Sequence, residues 1–319
     1  MRKSNRLIAG VLMLSLAALA VAAVGCKQSK MDEPSKPRIA LVMKSLANEF
    51  FKTMEEGAIA HQKEHGDEYD LITVGIKTEE DVARQIELVE TMMGLAEAIV
   101  IAPADSKALV PVCKRAMDKG IIVVNIDNKL DQGVLKDKNA KIPFVGPDNR
   151  KGAALAGECL AAKLQKGDKV AIIEGMPNAY NGIQRKLGFE DAVKKAGLNI
   201  ISSQSGDWEM EKANQVAAAV ITEHPDLKAF LCANDSMALG AVFALKAAGK
   251  SDAVLVAGFD NISAVQTLLK EGRILCTVDQ HADKLAVYGI EYALEMLAKK
   301  GMPVDRETPV DLVTAETLK

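Results

Sequence analysis

The chain has 319 residues, of which 49% are hydrophobic and 26% charged, and its formal net charge is −3 at pH 7. Its length and composition predict a globular protein with one large domain or two ordinary ones. The absence of a basic stripe from the sequence argues against nucleic acid as a partner.

The N-terminus has the pattern of an export signal. Three basic residues among the first six precede an uncharged apolar run over residues 7–24, and small residues lead into Cys26. This arrangement is typical of a secretory signal peptide. We therefore predict a signal peptide over residues 1–25, in preference to a membrane-spanning anchor, for which the run has about the minimum length of 18 residues.

Cys26 resembles the residue that carries the lipid in bacterial lipoproteins. The usual motif has Leu three positions before the Cys, where this chain has Ala23. Lipidation would hold the protein at a membrane surface without spanning the membrane. Residues 26–37 are polar, contain two prolines and are predicted to form a flexible tether.

Strand and helix patterns alternate from residue 38 onwards. The predicted strands are runs rich in Val, Ile and Leu, typical of strands covered on both faces, and they lie at 38–44, 69–76, 98–104, 121–127, 142–147, 169–175, 199–206, 229–235, 253–260 and 274–280. Stretches with helical spacing lie at 49–65, 80–95, 106–119, 149–165, 182–196, 209–224, 236–248, 262–271 and 282–299. The polar stretch 130–140 is predicted to be a loop.

This alternation predicts an α/β fold with doubly wound parallel sheets. Four apolar strands end in polar residues, namely Asp127, Asn234 in front of Asp235, Asp260 and Gln280. In such sheets ligands bind beyond the carboxyl ends of the strands, and these side chains can accept from and donate to hydroxyl groups. Polar ends occur in both halves of the chain, which favours two lobes that face each other across a sugar or polyol pocket.

The other reactive residue types form no recognisable catalytic or metal motif. Four cysteines follow Cys26, at positions 113, 159, 232 and 276, and their spacing fits no zinc site. We interpret them as small buried hydrophobic residues, although an exported protein can also form disulfides. The four histidines are scattered, and no nucleotide-binding motif occurs. We therefore predict no metal, no cofactor and no enzymatic activity.

Several motifs together resemble the periplasmic sugar-binding proteins of ribose- and allose-type ABC transporters. In chain order they are IALVMKSLANEFF (39–51), VGPDN (145–149), RKLGF (185–189), SGDWE (205–209), CANDSMALGA (232–241), VAGFD (256–260) and TVDQ (277–280). The resemblance runs from about residue 39 to the C-terminus and implies the type I periplasmic binding protein fold, in which two Rossmann-like lobes are joined by a three-segment hinge. It implies an N-terminal lobe of residues 38–147 plus 281–306 and a C-terminal lobe of residues 148–280 plus 307–319.

The resemblance also implies a ligand-binding role for individual residues. Asp127 and Asp260 would accept hydrogen bonds from hydroxyl groups, although an Asp after a strand can also be a helix cap. Arg185 would grip the ligand with its fork of donors, and Asn234 and Gln280 would bond hydroxyls through their amides.

Further contacts are expected around the first strand–helix turn and in one polar loop. Lys44 and Asn48 lie in that turn, and aromatic walls are expected from Phe50, Phe51 and Trp208. The allose binder has Lys at the position of Lys44, which favours a hexose or another larger polyol. Asn128 is also expected to contact the ligand, but it stands where ribose binders have Arg and the allose binder has Glu, so the sugar stays open.

The resulting hypothesis is a lipid-anchored solute-binding protein at the periplasm or cell surface. It would capture a monosaccharide, hexose or pentose, or a similar polyol, and deliver it as a monomer to an ABC permease. The alternative is a sensor module that presents a sugar or an autoinducer to a membrane receptor.

Overall fold

The computed structural model describes residues 36–299 and 303–318. The predicted signal peptide, Cys26 and residues 26–35 of the predicted tether lie outside the described residues. Within the described ranges, no helix combines the length and the apolar character needed to cross a membrane.

The first half of the chain, together with one strand from the C-terminal region, builds a six-stranded parallel sheet with the order β2-β1-β3-β4-β5-β11. Its strands are β1 (Arg38–Ser45), β2 (Asp70–Ile76), β3 (Ala98–Ile101), β4 (Ile122–Ile126), β5 (Phe144–Pro147) and β11 (Arg306–Thr308). The helices of this half, with one from the C-terminal region, are α1 (Glu49–Glu64), α2 (Val82–Met92), α3 (Val110–Asp118), α4 (Gln132–Asp137) and α10 (Ala282–Leu297).

The second half builds a four-stranded parallel sheet with the order β7-β6-β8-β9. Its strands are β6 (Lys169–Glu174), β7 (Asn199–Ser205), β8 (Ala229–Cys232) and β9 (Leu255–Ala257). The helices are α5 (Asn149–Ala161), α6 (Tyr180–Ala196), α7 (Met210–Glu223), α8 (Asp235–Ala247) and α9 (Ser263–Lys270). A short antiparallel pair, β10 (Thr277–Asp279) with β12 (Asp311–Val313), completes the structure.

The apolar strand sequences follow from burial on both faces of the sheets. In β1, Ile39, Leu41 and Met43 belong to one hydrophobic cluster, while Ala40 and Val42 belong to another on the opposite face. All five are fully buried. A strand covered on both faces shows a continuous apolar run rather than an alternating one, which is why these strands are recognisable in the sequence.

The fold is that of two doubly wound lobes, each built around one of the parallel sheets. The chain passes between them after β5, between β10 and α10, and between β11 and β12. Residues 307–308, which the predicted lobe boundary assigns to the C-terminal lobe, pair with β5 in the first sheet. The predicted loop at 130–140 contains α4, whose first turn is capped by Asp131.

Gln85 fixes the spacing of two strand ends in the first sheet. Its side chain is fully buried on α2, and its Nε2 donates to the carbonyl of Met43 (3.1 Å) and to that of Ala102 (2.9 Å). Its Oε1 accepts from the backbone N–H of Ala104 at 2.8 Å. One amide therefore satisfies three buried backbone groups at the carboxyl ends of β1 and β3.

Replacing Gln85 with Met keeps the approximate side-chain length but removes these hydrogen bonds. Because each buried polar group left without a partner costs about 1–3 kcal/mol, we expect a clearly lower urea midpoint for Gln85→Met. The control is Arg84→Met on the exposed side of the same helix, which should stay within about 0.5 kcal/mol of the wild type. Equal midpoints for the two variants would contradict this role of Gln85.

Candidate ligand-binding site between the two sheets

Polar side chains at the ends of strands from both sheets line one small cavity. Lys44 lies near the end of β1, and Asp127 follows β4. From the other half, Asn234, Asp260 and Gln280 lie just beyond β8, β9 and β10. The volume open to a water-sized molecule is only about 20 Å³, so the lining side chains come close to filling the cavity.

The rest of the lining comes from helix starts and loops. It comprises Asn48, Phe50 and Phe51 at the start of α1, Glu79 in the loop after β2, Asn181 and Arg185 on α6, and Trp208 in the loop after β7. All predicted contacts except Asn128 are thus brought together. Glu79 and Asn181 were not predicted.

The two central aspartates are not helix caps. The side chain of Asp131, not Asp127, caps α4, and α9 begins after Ile262 without a side-chain cap. Asp127 has φ 59° and Asp260 has φ 123°. Non-glycine residues rarely adopt such conformations, which concentrate at functional sites. Both carboxylates are therefore held towards the cavity rather than used for helix capping.

Aromatic rings form the apolar walls. Phe50 and Phe51 are both buried and meet edge to face, with ring centroids 5.1 Å apart. Trp208 is also buried and has a left-handed backbone, with φ 67°. The indole lies directly over Gly175, where a Cβ atom would come within 2.1 Å of the ring. A glycine is required there because any side chain would displace the indole.

Two buried cations have carboxylate partners. Lys44 Nζ lies 3.0 Å from Asp127 Oδ2 and 3.8 Å from Glu79 Oε2. Arg185 Nη1 lies 3.4 Å from Asp260 Oδ1. Burial of an ion is costly unless opposite charges and hydrogen bonds compensate it, and here each cation has a partner within contact distance.

Arg185 is held rigidly by further groups. Its Nε donates to Asn149 Oδ1 (2.8 Å), its Nη1 donates to the carbonyl of Ala233 (2.9 Å), and its Cζ lies 3.7 Å from the centroid of the Phe259 ring. Gln280 Nε2 in turn donates to Asp260 Oδ1 at 2.7 Å. The guanidinium is thereby oriented before any ligand binds, which reduces the entropy lost on binding.

Burial shifts the ionisation of the site. It raises the pKa of Glu79 to about 7, although Lys44 acts in the opposite direction. Burial also raises the pKa of Asp260 well above its usual range, against the effect of Arg185. For Lys44, burial alone would lower the pKa, but Asp127 and Glu79 outweigh it and raise the pKa. Near neutral pH the Glu79 carboxyl group is therefore partly protonated.

Several buried polar atoms point to a ligand rather than to the protein. Four buried lining atoms have no hydrogen-bond partner within the described residues, namely Glu79 Oε2, Asp127 Oδ2, Trp208 Nε1 and Gln280 Oε1. A buried polar atom without a partner in a native structure calls for an explanation, such as a bound molecule. Three acceptors and one donor are thus available around the same cavity. No group of three or more His, Cys, Asp or Glu side chains in the described part of the chain could hold a metal ion.

Asn128 is the predicted contact that does not line the cavity. It is fully buried, and its Nδ2 donates to the carbonyl of Pro103 at 2.8 Å. Its Oδ1 accepts from the backbone N–H of Asn181 at 3.1 Å and from Ser106 Oγ at 3.3 Å. Its amide is therefore committed to other protein groups, including one on α6 of the other lobe.

The two unpredicted lining residues had signals in the sequence. Asn181 lies four residues before Arg185 on one helix, and residues at this spacing share a face. Glu79 lies in a polar loop directly after β2, the same strand-end position that identified Asp127. The predicted strand 69–76 ends on the apolar Ile76, three residues before Glu79, so a polar residue at the strand end could not indicate Glu79.

Comparison with known proteins identifies the family. Residues 39–301 match the family described as periplasmic binding protein domain. The D-ribose/D-allose-binding protein of Pseudomonas aeruginosa is 55% identical over 318 residues, which cover 98% of this chain and 98% of that protein. The structure of an ABC transporter solute-binding protein from Burkholderia multivorans is 57% identical, with a TM-score of 0.85 and coverage of 88% of this chain and 99% of that one. An Actinobacillus succinogenes solute-binding protein with bound D-allose is 36% identical, with a TM-score of 0.84 and the same coverage.

These matches confirm the predicted resemblance and fold class, and they place the protein in the periplasm. They also confirm that the protein is not an enzyme, because the family consists of substrate-binding proteins of transporters. The chain belongs to the periplasmic binding protein family, among the ribose- and allose-type sugar-binding proteins of ABC transporters.

Proposed function

We propose that the protein captures a neutral aldose of the D-allose and D-ribose type and delivers it to an ABC permease. The observation that carries this proposal is the charge-balanced cavity between the sheets, with polar groups from both lobes and aromatic walls. The two lobes, each built around one of the parallel sheets, would close around the sugar about the three connecting segments, as in hinged binding proteins. We further propose that the protein acts as a monomer anchored through a lipid on Cys26.

The groups of the cavity match the two kinds of surface that a sugar presents. Hydroxyl groups donate to carboxylates such as Asp127 and Asp260 and accept from Lys44 and Arg185, and bonds to charged groups are stronger than neutral ones. The C–H faces of the ring pack on aromatic side chains, a role for which Phe51 and Trp208 are placed.

The electrostatics of the cavity favour a ligand without charge. A phosphate or a sugar acid would approach Asp127 and Asp260, whose charges already compensate the two cations. Like charges facing one another in a desolvated site cost several kcal/mol. A neutral polyol adds hydrogen bonds without disturbing the ion pairs.

The similarity to a D-ribose/D-allose-binding protein and the pair of Lys44 and Glu79 support D-allose and D-ribose as ligands. The hydroxyl groups of these two sugars at C2, C3 and C4 have the same configuration, and D-allose carries one further hydroxymethyl group. Lys44 and Glu79 lie 3.8 Å apart on the first-lobe side of the cavity. They provide a donor and an acceptor for the additional hydroxyl, so we propose D-allose as the tighter ligand.

A thermal-shift and calorimetry panel tests this proposal. The protein is unfolded and refolded to remove co-purified ligand and then mixed with D-allose, D-ribose, D-glucose or D-ribose 5-phosphate. Ligands that bind the native state raise the melting temperature with concentration. We expect stabilisation by D-allose and D-ribose and at least about fivefold weaker binding of D-glucose, the C3 epimer of D-allose, because a lost hydrogen bond costs about 1 kcal/mol or more. No response to any neutral sugar, or tight binding of D-ribose 5-phosphate, would contradict the proposal.

Asp127→Asn tests the site itself. The amide keeps the shape of the side chain but loses the charge-assisted bonds, worth about 1.5–3 kcal/mol, so Kd for D-allose should rise roughly ten- to hundredfold. Asp131→Asn is the matched control, because Asn also caps α4 and Asp131 lies outside the cavity. Circular dichroism checks that both variants are folded. Unchanged affinity in Asp127→Asn would remove Asp127 from the proposed site.

The raised pKa of Glu79 predicts a pH-dependent stability of the sugar-free protein. Between its ordinary value of 4.5 and about 7 the native state binds more protons at Glu79 than the unfolded state, so stability falls as pH rises through this interval. We expect the melting temperature to fall less steeply with pH in Glu79→Gln than in the wild type. Glu80→Gln changes an exposed neighbour and should keep the wild-type slope. Identical slopes in all three proteins would show that Glu79 does not titrate in this interval.

A further inference from the structure

Two cysteines far apart in sequence meet outside the sugar site. Cys159 lies near the end of α5, and Cys276 lies just before β10. Cys276 Sγ contacts the carbonyl oxygen of Ala156 at 3.7 Å. Because Ala156 and Cys159 are three residues apart on one helix, they share a face, so the contact with Ala156 brings Cys276 Sγ beside the Cys159 side chain.

The two thiols differ in their surroundings. Cys276 is fully buried, whereas Cys159 is partly exposed. The neighbouring thiol of Cys276 lowers the pKa of Cys159 to about 7, with a smaller contribution from Lys163. Glu316, which faces Cys159 from the C-terminal segment, acts in the opposite direction. The thiolate is the reactive form of cysteine, so Cys159 combines access with reactivity.

The other two cysteines of the folded part have neither property. Cys113 and Cys232 are fully buried. Burial raises the pKa of Cys113 to about 12 and raises that of Cys232 further still. They serve as unreactive internal controls for Cys159 and Cys276.

We propose that Cys159 and Cys276 form a reversible disulfide by exchange with an external disulfide in the periplasm. The Cys159 thiolate attacks one sulfur of the external disulfide, forms a mixed disulfide and releases one external thiolate. Cys276 then loses its proton and attacks the Cys159 sulfur, which expels the second external thiolate. Two protein thiols are oxidised, the external disulfide is reduced to two thiols, and the two sulfurs close to a bond of about 2.05 Å.

The bond would join two segments that lead to both the sugar site and the lobe connections. α5 follows the first passage between the sheets and begins with Asn149, which holds Arg185. β10 precedes the second passage and is followed by Gln280. A covalent link between α5 and the start of β10 therefore stiffens the second lobe next to the hinge and stabilises the folded state.

Peptide mapping of the exported full chain tests the proposal. The protein is equilibrated with oxidised or reduced glutathione, its free thiols are alkylated under denaturing conditions, and it is digested without a reductant. After oxidation we expect a linked peptide pair containing Cys159 and Cys276, which reduction abolishes, while Cys113 and Cys232 carry the alkyl label throughout. Alkylation of both Cys159 and Cys276 after oxidation, or glutathione retained on Cys159 without a link, would overturn the proposal.

Thermal unfolding provides an independent measurement. The oxidised wild type should melt at a higher temperature than the reduced one. Cys159→Ser replaces the partly exposed partner and should abolish this difference, whereas Cys113→Ser should keep it. A redox difference that persists in Cys159→Ser would also overturn the assignment.

Discussion

The site depends on the burial of ionised side chains, which is tolerated only because each lobe compensates its own charge. Lys44 is paired with Asp127 and Glu79, and all three belong to the first sheet or its loops. Arg185 is paired with Asp260, and both belong to the second. Removing an ion from water costs several kcal/mol, and breaking a buried pair leaves that cost uncompensated. Because neither pair crosses the cleft, the lobes can separate without leaving a charge unpaired.

Contacts that do cross the cleft are of a different kind. Asn128 Oδ1 accepts from the backbone of Asn181, Ser106 Oγ accepts from that of Tyr180, and Glu49 Oε1 accepts from that of Ser263. Water can replace such bonds on opening, so each contributes only about 0.5–1.5 kcal/mol net, or up to about 3 kcal/mol at the Glu49 carboxylate. A ligand that binds the closed state better than the open one would shift the equilibrium towards closure. A sugar that bonds both lobes at once would be such a ligand.

The sequence was sufficient for features that depend on local chemistry. Strands buried on both faces, such as β1, and strand-end residues such as Asp127 and Asp260 were recognisable because burial and polarity are properties of the residues themselves. The three-residue strands β11 and β12 were missed because so short a segment has no periodicity, and their pairing partners are distant in the chain. Asn128 is predicted as a ligand contact because it stands where the resembling sugar binders have Arg or Glu, and only the tertiary structure supplies Asn181 as its partner.

The paired charges also explain how a polar, buried site can discriminate. A carboxylate in an ion pair still has lone pairs free to accept, and a guanidinium held by Asn149 and Ala233 still has N–H groups free to donate. A hydroxyl group is both donor and acceptor, so it can bond a carboxylate and a cation together. An anion satisfies only the cation and repels the carboxylate, while an apolar group leaves both without a partner. Inverting one hydroxyl would move it away from the groups that bond it, and the resulting unpaired buried atoms, rather than a steric clash, would disfavour an epimer of the proposed ligand.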